Sequence, residues 1–231
     1  MRRILPIFLI FAGILAAAIS TTPVHQAVGS TTVTMTAVTV NNTIICAITA
    51  VRSAGARTVS SVTLTNTTGW AKWVGGTNAT PGIDTEIWGG YVTASGATAL
   101  TITMSGTGST VVSNCSEWSG IYIPTPADGT GAVNSGTSGS PGNGAYTSTA
   151  ANALVITALG YTANASAPTA QPSGYTALTF TNNSTTIALQ ANYKVPAAAG
   201  SQTAAWTMTS NAFADAIIAA KPSVSASSVV Y

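Results

Sequence analysis

Two carboxylates stand beside tryptophans, in Glu86-Ile87-Trp88 and in Glu117-Trp118. Paired carboxylates about 5–9.5 Å apart on one concave sheet, with aromatic sugar platforms, are the equipment of a glycoside hydrolase. Alternation along a strand puts Glu86 on the face of Trp88 but sends Glu117 and Trp118 to opposite faces. Only Asp84, Asp128 and Asp215 remain to line a polar cleft. Hydrolysis through Glu86 and Glu117 is therefore a minor alternative. The plainer reading is two rim acids within reach of Arg52 or Arg57, for a small electrostatic gain. Nucleophilic catalysis lacks its base. His25 is the single histidine and lies in a Pro-flanked N-terminal segment, whereas a Ser-His-Asp or Cys-His arrangement needs a rigidly held imidazole. No catalytic residue is expected.

Sugar binding needs less machinery than hydrolysis. Trp70-Ala71-Lys72-Trp73, Tyr91 and Glu86 form the candidate carbohydrate-binding set, weighed against the tendency of sandwiches to bury Trp in the core. Calcium is a thin alternative. Asp84, Glu86 and loop carbonyls, or Asp128-Gly129, offer oxygens, but neither stretch is dense in carboxylates, and no metal or cofactor is expected. Two Cys and one His exclude zinc fingers and iron–sulfur clusters. Asn41, Asn66, Asn78, Asn164, Asn182 and Asn183 satisfy the glycosylation sequon, which a Thr- and Asn-rich chain also produces by chance. Asn114 satisfies it too, but beside Cys115 on a strand it is a poor acceptor.

The chain that must position these residues is short of charge. Of its 231 residues, 5% are charged and 46% are hydrophobic, where an ordinary domain carries about 25% charge. Thr, Ser and Gly take up the difference. Whole-chain disorder pairs low hydrophobicity with high net charge, and neither holds. Nucleic-acid binding needs clustered Lys and Arg, and there are 7, two of them at the N-terminus.

Arg2-Arg3 followed by the apolar residues 4–19 reads as a secretory signal peptide over residues 1–20, with a helical apolar core. The small residues Ala18 and Ser20 place the cut before Thr21. A retained membrane anchor is the alternative, and contact with a membrane is expected only through residues 4–20 if they are kept. Removing Arg2 and Arg3 from the 7 Lys and Arg leaves five against the 5 Asp and Glu, a neutral mature chain. So few titratable groups predict a nearly flat stability profile with pH. Export would expose Cys46 and Cys115 to an oxidising compartment, where a bridge between neighbouring strands is expected. Two separately buried thiols are the alternative.

Strand patterns dominate the rest. Leu100-Thr101-Ile102-Thr103-Met104 and Ile187-Ala188-Leu189-Gln190-Ala191 alternate with period two. Residues 44–51, 153–159 and 214–220 are continuously apolar and read as strands from their length and their Thr- and Val-rich surroundings. A weak internal repeat runs through both halves: an apolar strand, Gly69-Trp70 or Gly174-Tyr175, a strand at Tyr91 or Tyr193, an alternating strand, and a final apolar strand. This predicts an all-β fold: a single two-sheet antiparallel sandwich, jelly-roll-like, built from two four-stranded halves. The domain spans residues 31–222, with halves 31–123 and 145–222 joined by a Gly/Ser/Pro-rich connector at 124–144. An extended arm at 21–30 precedes it and a tail at 223–231 follows. The β-prone arm and first strand pair within their own sheet or, alternatively, self-associate with a neighbour.

Glu86-Ile87-Trp88, Tyr91-Val92-Thr93-Ala94, Thr101-Ile102-Thr103 and Glu117-Trp118-Ser119-Gly120 resemble an uncharacterised jelly-roll domain of secreted bacterial, surface and phage structural proteins. Gly200-Ser201-Gln202-Thr203-Ala204-Ala205-Trp206 and Ala216-Ile217-Ile218-Ala219-Ala220-Lys221-Pro222 are similar to its C-terminal half. The resemblance covers most of residues 31–222. It implies a concanavalin-like or jelly-roll sandwich and brings no catalytic residues. The expected function is that of a secreted, non-enzymatic structural or adhesive protein, extracellular or at the cell surface, with a self-assembling filament or matrix subunit as one form of that role. A module that binds surface glycans is the alternative.

Overall fold

β-Branched and aromatic residues, closely punctuated by Gly, Asn and Pro, favour strands and turns over helix. In the computed structural model, which describes residues 18–52, 57–162 and 166–223, the chain is all-β with no helix among the described residues. The first half holds β1 (His25–Gly29), β2 (Thr32–Val38), β3 (Thr43–Val51), β4 (Val59–Thr63), β5 (Thr67–Asn78), β6 (Ile83–Val92), β7 (Gly96–Met104) and β8 (Thr110–Trp118). The second holds β9 (Ala132–Ser138), β10 (Tyr146–Ser148), β11 (Leu154–Thr162), β12 (Thr176–Ala177), β13 (Thr181–Asn182), β14 (Ile187–Lys194), β15 (Gly200–Gln202) and β16 (Asn211–Ala220). Residues 1–17 of the expected signal helix, Asn164 and residues 224–231 of the tail lie outside the described residues.

The two halves repeat one topology. In the first, a five-stranded antiparallel sheet runs β5-β6-β3-β8-β1; in the second, the sheet runs β12-β14-β11-β16-β9, with β13 also on β14. Each half opens with an edge strand and places its long apolar strand, β3 or β11, at the centre. Each also carries a small sheet of its own, β2-β7-β4 in the first half and β10-β15 in the second. Two sheets were expected from two four-stranded halves; four are present among the described residues, because each half covers one face of its large sheet with its own small one.

The large sheets pack face to face. Ile45, Ala47, Ile87 and Val112 of one meet Leu154, Ile156, Leu189, Ala216 and Ile218 of the other in the central core. Trp118 meets Tyr193 edge-on across it, centroids 4.8 Å apart. The opposite face of the first sheet, with Ile44, Cys46, Ile48 and Trp88, is covered by Val33, Met35, Leu100 and Ile102 of the small sheet. Tyr146 covers Val155, Ile217 and Ala219 on the far side of the second. Strands buried on both faces need apolar residues at every position rather than at every second one, which explains the continuous runs of β3, β11 and β16. Gly160 lets the sheets close. A β-carbon there would stand 2.2 Å from Thr85 Oγ1 and 2.3 Å from Thr49 Cγ2.

Cys46 and Cys115 sit directly opposite each other on β3 and β8 and form a disulfide. Within the expected arm, residues 25–29 form β1, which pairs with β8 of its own sheet. The connector is not wholly irregular: residues 132–138 form edge strand β9 on β16. The expected signal helix does not reach its last residues. Residues 18–20 are not helical, because Ile19 is held in the central core and Ser20 N–H donates to Ser119 O.

Candidate functional site

An edge strand with irregular pairing presents side chains differently from a regular one. β5 shifts register against β6 twice, between Thr68 and Ala71 and between Lys72 and Val74. Its partner carries two glycines in mid-strand, a mark of close approach. A β-carbon on Gly89 would lie 2.0 Å from Trp73 Cζ2, and one on Gly90 would lie 2.3 Å from Trp70 Cδ2. Successive residues of β6 face opposite sides, so the two indoles cover opposite faces. Trp70 packs against the small-sheet core and donates from Nε1 to Thr67 Oγ1 at 2.7 Å. Trp73 packs at the margin of the central core.

Trp73 and Tyr91 line one groove of about 450 Å³. Thr68, Gly69 and Lys72 form its rim on β5, and Ile123 with Pro124, Thr125 and Pro126 of the connector forms the other wall. Both aromatic rings are half-buried. The Tyr91 hydroxyl donates to Asn41 Oδ1 at 2.6 Å, which fixes the phenol at the mouth. Lys72 is the one ionisable side chain among the lining residues apart from that phenol, and its ammonium lies 3.3 Å from Glu86 Oε1. The groove thus joins apolar rings, threonine hydroxyls and exposed backbone with little net charge.

Glu86 does not line this groove. It is fully buried, accepts from Trp88 Nε1 at 2.5 Å and from Val59 N–H at 3.3 Å, and pairs with Lys72. Asp84, two residues along on the same face, accepts from Thr77 Oγ1 at 2.8 Å. Burial, then the neighbouring Glu86 charge, raises the Asp84 carboxyl far above its ordinary range. Glu117 is also fully buried and takes three donors: His25 Nδ1 at 2.6 Å, Thr39 N–H at 2.7 Å and Asn42 Nδ2 at 2.7 Å. It clamps the N-terminal strand and the 39–42 turn.

The fold does not bring Glu86 and Glu117 together. Glu117 lies opposite Ile44, and Glu86 opposite Ile48, on the two sides of β3. Two strand spacings and four residues of offset separate their Cα atoms by roughly 16 Å. Asp128 is likewise occupied: its carboxylate accepts from Thr149 N–H and Oγ1 and from Ala150 N–H. Among the described residues no group of three or more His, Cys, Asp or Glu converges.

The sequon asparagines are scattered. Asn41 and Asn66 sit at turns with φ of 70° and 68°. Asn78 donates to Gly136 O and Phe213 O, joining the halves. Asn182 and Asn183 shape the turn before β14 through Ser184 N–H, Thr186 N–H and Ile187 N–H. Asn114 is buried and donates to Thr179 O. Groove residues not singled out from sequence include Gly89, Gly90 and the Ile123-Pro124-Thr125-Pro126 wall. The adjacent glycines inside a strand pattern carried the signal for the first two.

Comparison of the chain with protein-family models, with curated proteins and with solved structures found no match.

Proposed function

We propose that this is a secreted, non-enzymatic adhesive protein that holds uncharged glycan chains in the groove between β5, β6 and the 123–126 wall. The observation that carries the reading is the convergence of Trp73 and Tyr91 on one open groove whose single ammonium is offset by a buried carboxylate. Aromatic faces beside hydroxyls and free backbone groups suit the apolar faces and hydroxyl edges of sugar rings. A net anionic ligand would find little to pair with. The buried disulfide and the apolar N-terminal sequence favour an extracellular setting. The eight strands of the first half, in a five-stranded and a three-stranded sheet, favour a jelly-roll-like unit.

The test is a glycan array with the purified protein, followed by titration of the hits. Wild type is expected to bind neutral glycans. Trp73→Ala and Tyr91→Ala should weaken binding at least tenfold, whereas Trp70→Ala, whose ring covers the opposite face, should keep it. An array on which wild type binds nothing, or variants that bind as wild type does, would overturn the reading.

A further inference from the structure

The chain passes from exposed to buried across one peptide bond. Ala18 is exposed, whereas Ile19 is 3% exposed and belongs to the central core with Trp118 and Ile121. Ser20 follows it into place. Its N–H donates to Ser119 O at 3.3 Å, and its Oγ accepts from Ser119 N–H at 3.4 Å. The receiving turn is shaped for this segment. Gly120 has φ of 77°, and a β-carbon on it would lie 2.3 Å from Ala18 O and 3.0 Å from Ile19 Cα.

A leader peptidase reads small residues just before the bond it cuts, in an extended chain. Two registers satisfy that requirement. Ala18 and Ser20 direct the cut before Thr21; Ala16 and Ala18 direct it before Ile19. The first register would strip a buried aliphatic side chain from the core, leave a cavity there and discard both Ser20 contacts. The second ends the leader where burial begins.

On the reading that the protein is exported, we infer that the bond cleaved is Ala18–Ile19, and that Ile19 is the first residue of the mature chain. The reaction is hydrolysis. Water adds across the amide, leaving a carboxylate on Ala18 and an amine on Ile19 that takes up the proton. The mature N-terminus is then a core residue rather than the start of a free arm, and it anchors the segment leading into β1.

The test is expression of the full chain in a secreting bacterium, with N-terminal sequencing and intact mass of the protein found outside the cytoplasm. A chain beginning at Ile19 is the expected result. A chain beginning at Thr21 overturns the inference and leaves export standing. Met1 at the N-terminus of protein found outside the cytoplasm overturns the inference and leaves export standing, whereas protein confined to the cytoplasm overturns the export reading and this inference with it. As a second readout, Ile19→Ala should be cut at the same bond and melt about 5–15 °C lower. An unchanged melting temperature would show that Ile19 is not held in the core and would also overturn the inference.

Discussion

Trp73 rests on Gly89 so closely that a β-carbon at position 89 would stand 2.0 Å from its ring. The absence of one side chain thus seats the indole that lines the groove. Gly89→Ala must displace either the ring or the strand, and overpacking of this kind costs about 1–3 kcal/mol. Urea denaturation should show that loss, and glycan binding should fall with it. A variant as stable as wild type would mean that the ring has room to move aside.

Stability should fall as pH rises from acid to neutral. Asp215 Oδ2 is buried with no partner among the described residues, and burial pushes its carboxyl up to about 7. Asp84 is raised as well, first by burial and then by Glu86. The native state therefore keeps protons that the unfolded chain, titrating near 3.8, has already released. Its advantage is complete below that value and is lost through about pH 7 for Asp215. Composition led to the expectation of a flat profile; the raised carboxyls of Asp84 and Asp215 predict a sloped one instead. Thermal melts at successive pH values should show the decline, and Asp215→Asn should remove its share of the slope.

The disulfide should contribute to stability through the loop it closes. Cys46 and Cys115 are 69 residues apart, which corresponds to about 4 kcal/mol on the chain-entropy account. The double variant Cys46→Ala and Cys115→Ala should lose stability of that order in denaturant titrations. Equal midpoints would mean that the bridge contributes nothing.

The joint between the halves should be sensitive at Gly160. Gly160→Val would drive a branched side chain into Thr49 and Thr85, where sheets packed on both faces leave no space. Destabilisation of at least about 3 kcal/mol is expected, visible as a lowered melting temperature. Trp118→Ala, which removes the ring against Tyr193, should cost about 3–5 kcal/mol.

Glu117 should act as a clamp. Glu117→Ala would leave the buried Asn42 Nδ2 donor without its acceptor, at about 1–3 kcal/mol, and would free the Thr39 N–H. Hydrogen exchange should then quicken in β1 and in the 39–42 turn before it does so elsewhere. Uniform exchange through the first half would show that the clamp is not local.

Part of the site could be read in advance. Trp73 and Tyr91 were singled out by residue type, and the groove does contain them. Trp70 and Glu86 were singled out on the same grounds and do not line it. Trp70 falls on the other face because each indole follows its own glycine. Glu86 is drawn inward because Trp88 Nε1, Val59 N–H and Lys72 all donate to it. Nothing local to Glu86 or Glu117 reveals that β3 runs between them.

Sequence alone determined what depends on neighbours along the chain. The two-residue alternation of β7, the β-branched runs, the Gly and Asn turns and the scarcity of charge all follow from local propensity and composition. The repeated order of motifs is likewise a property of the chain read along its length. Tertiary structure decided everything that depends on which surfaces meet. It made four sheets rather than two, and it set strands such as β3 and β11 between two covering layers. It carried Asp215 out of water and sent two neighbouring tryptophans to opposite faces. Local preference sets the period of a strand, whereas long-range packing sets what each face of that strand must touch.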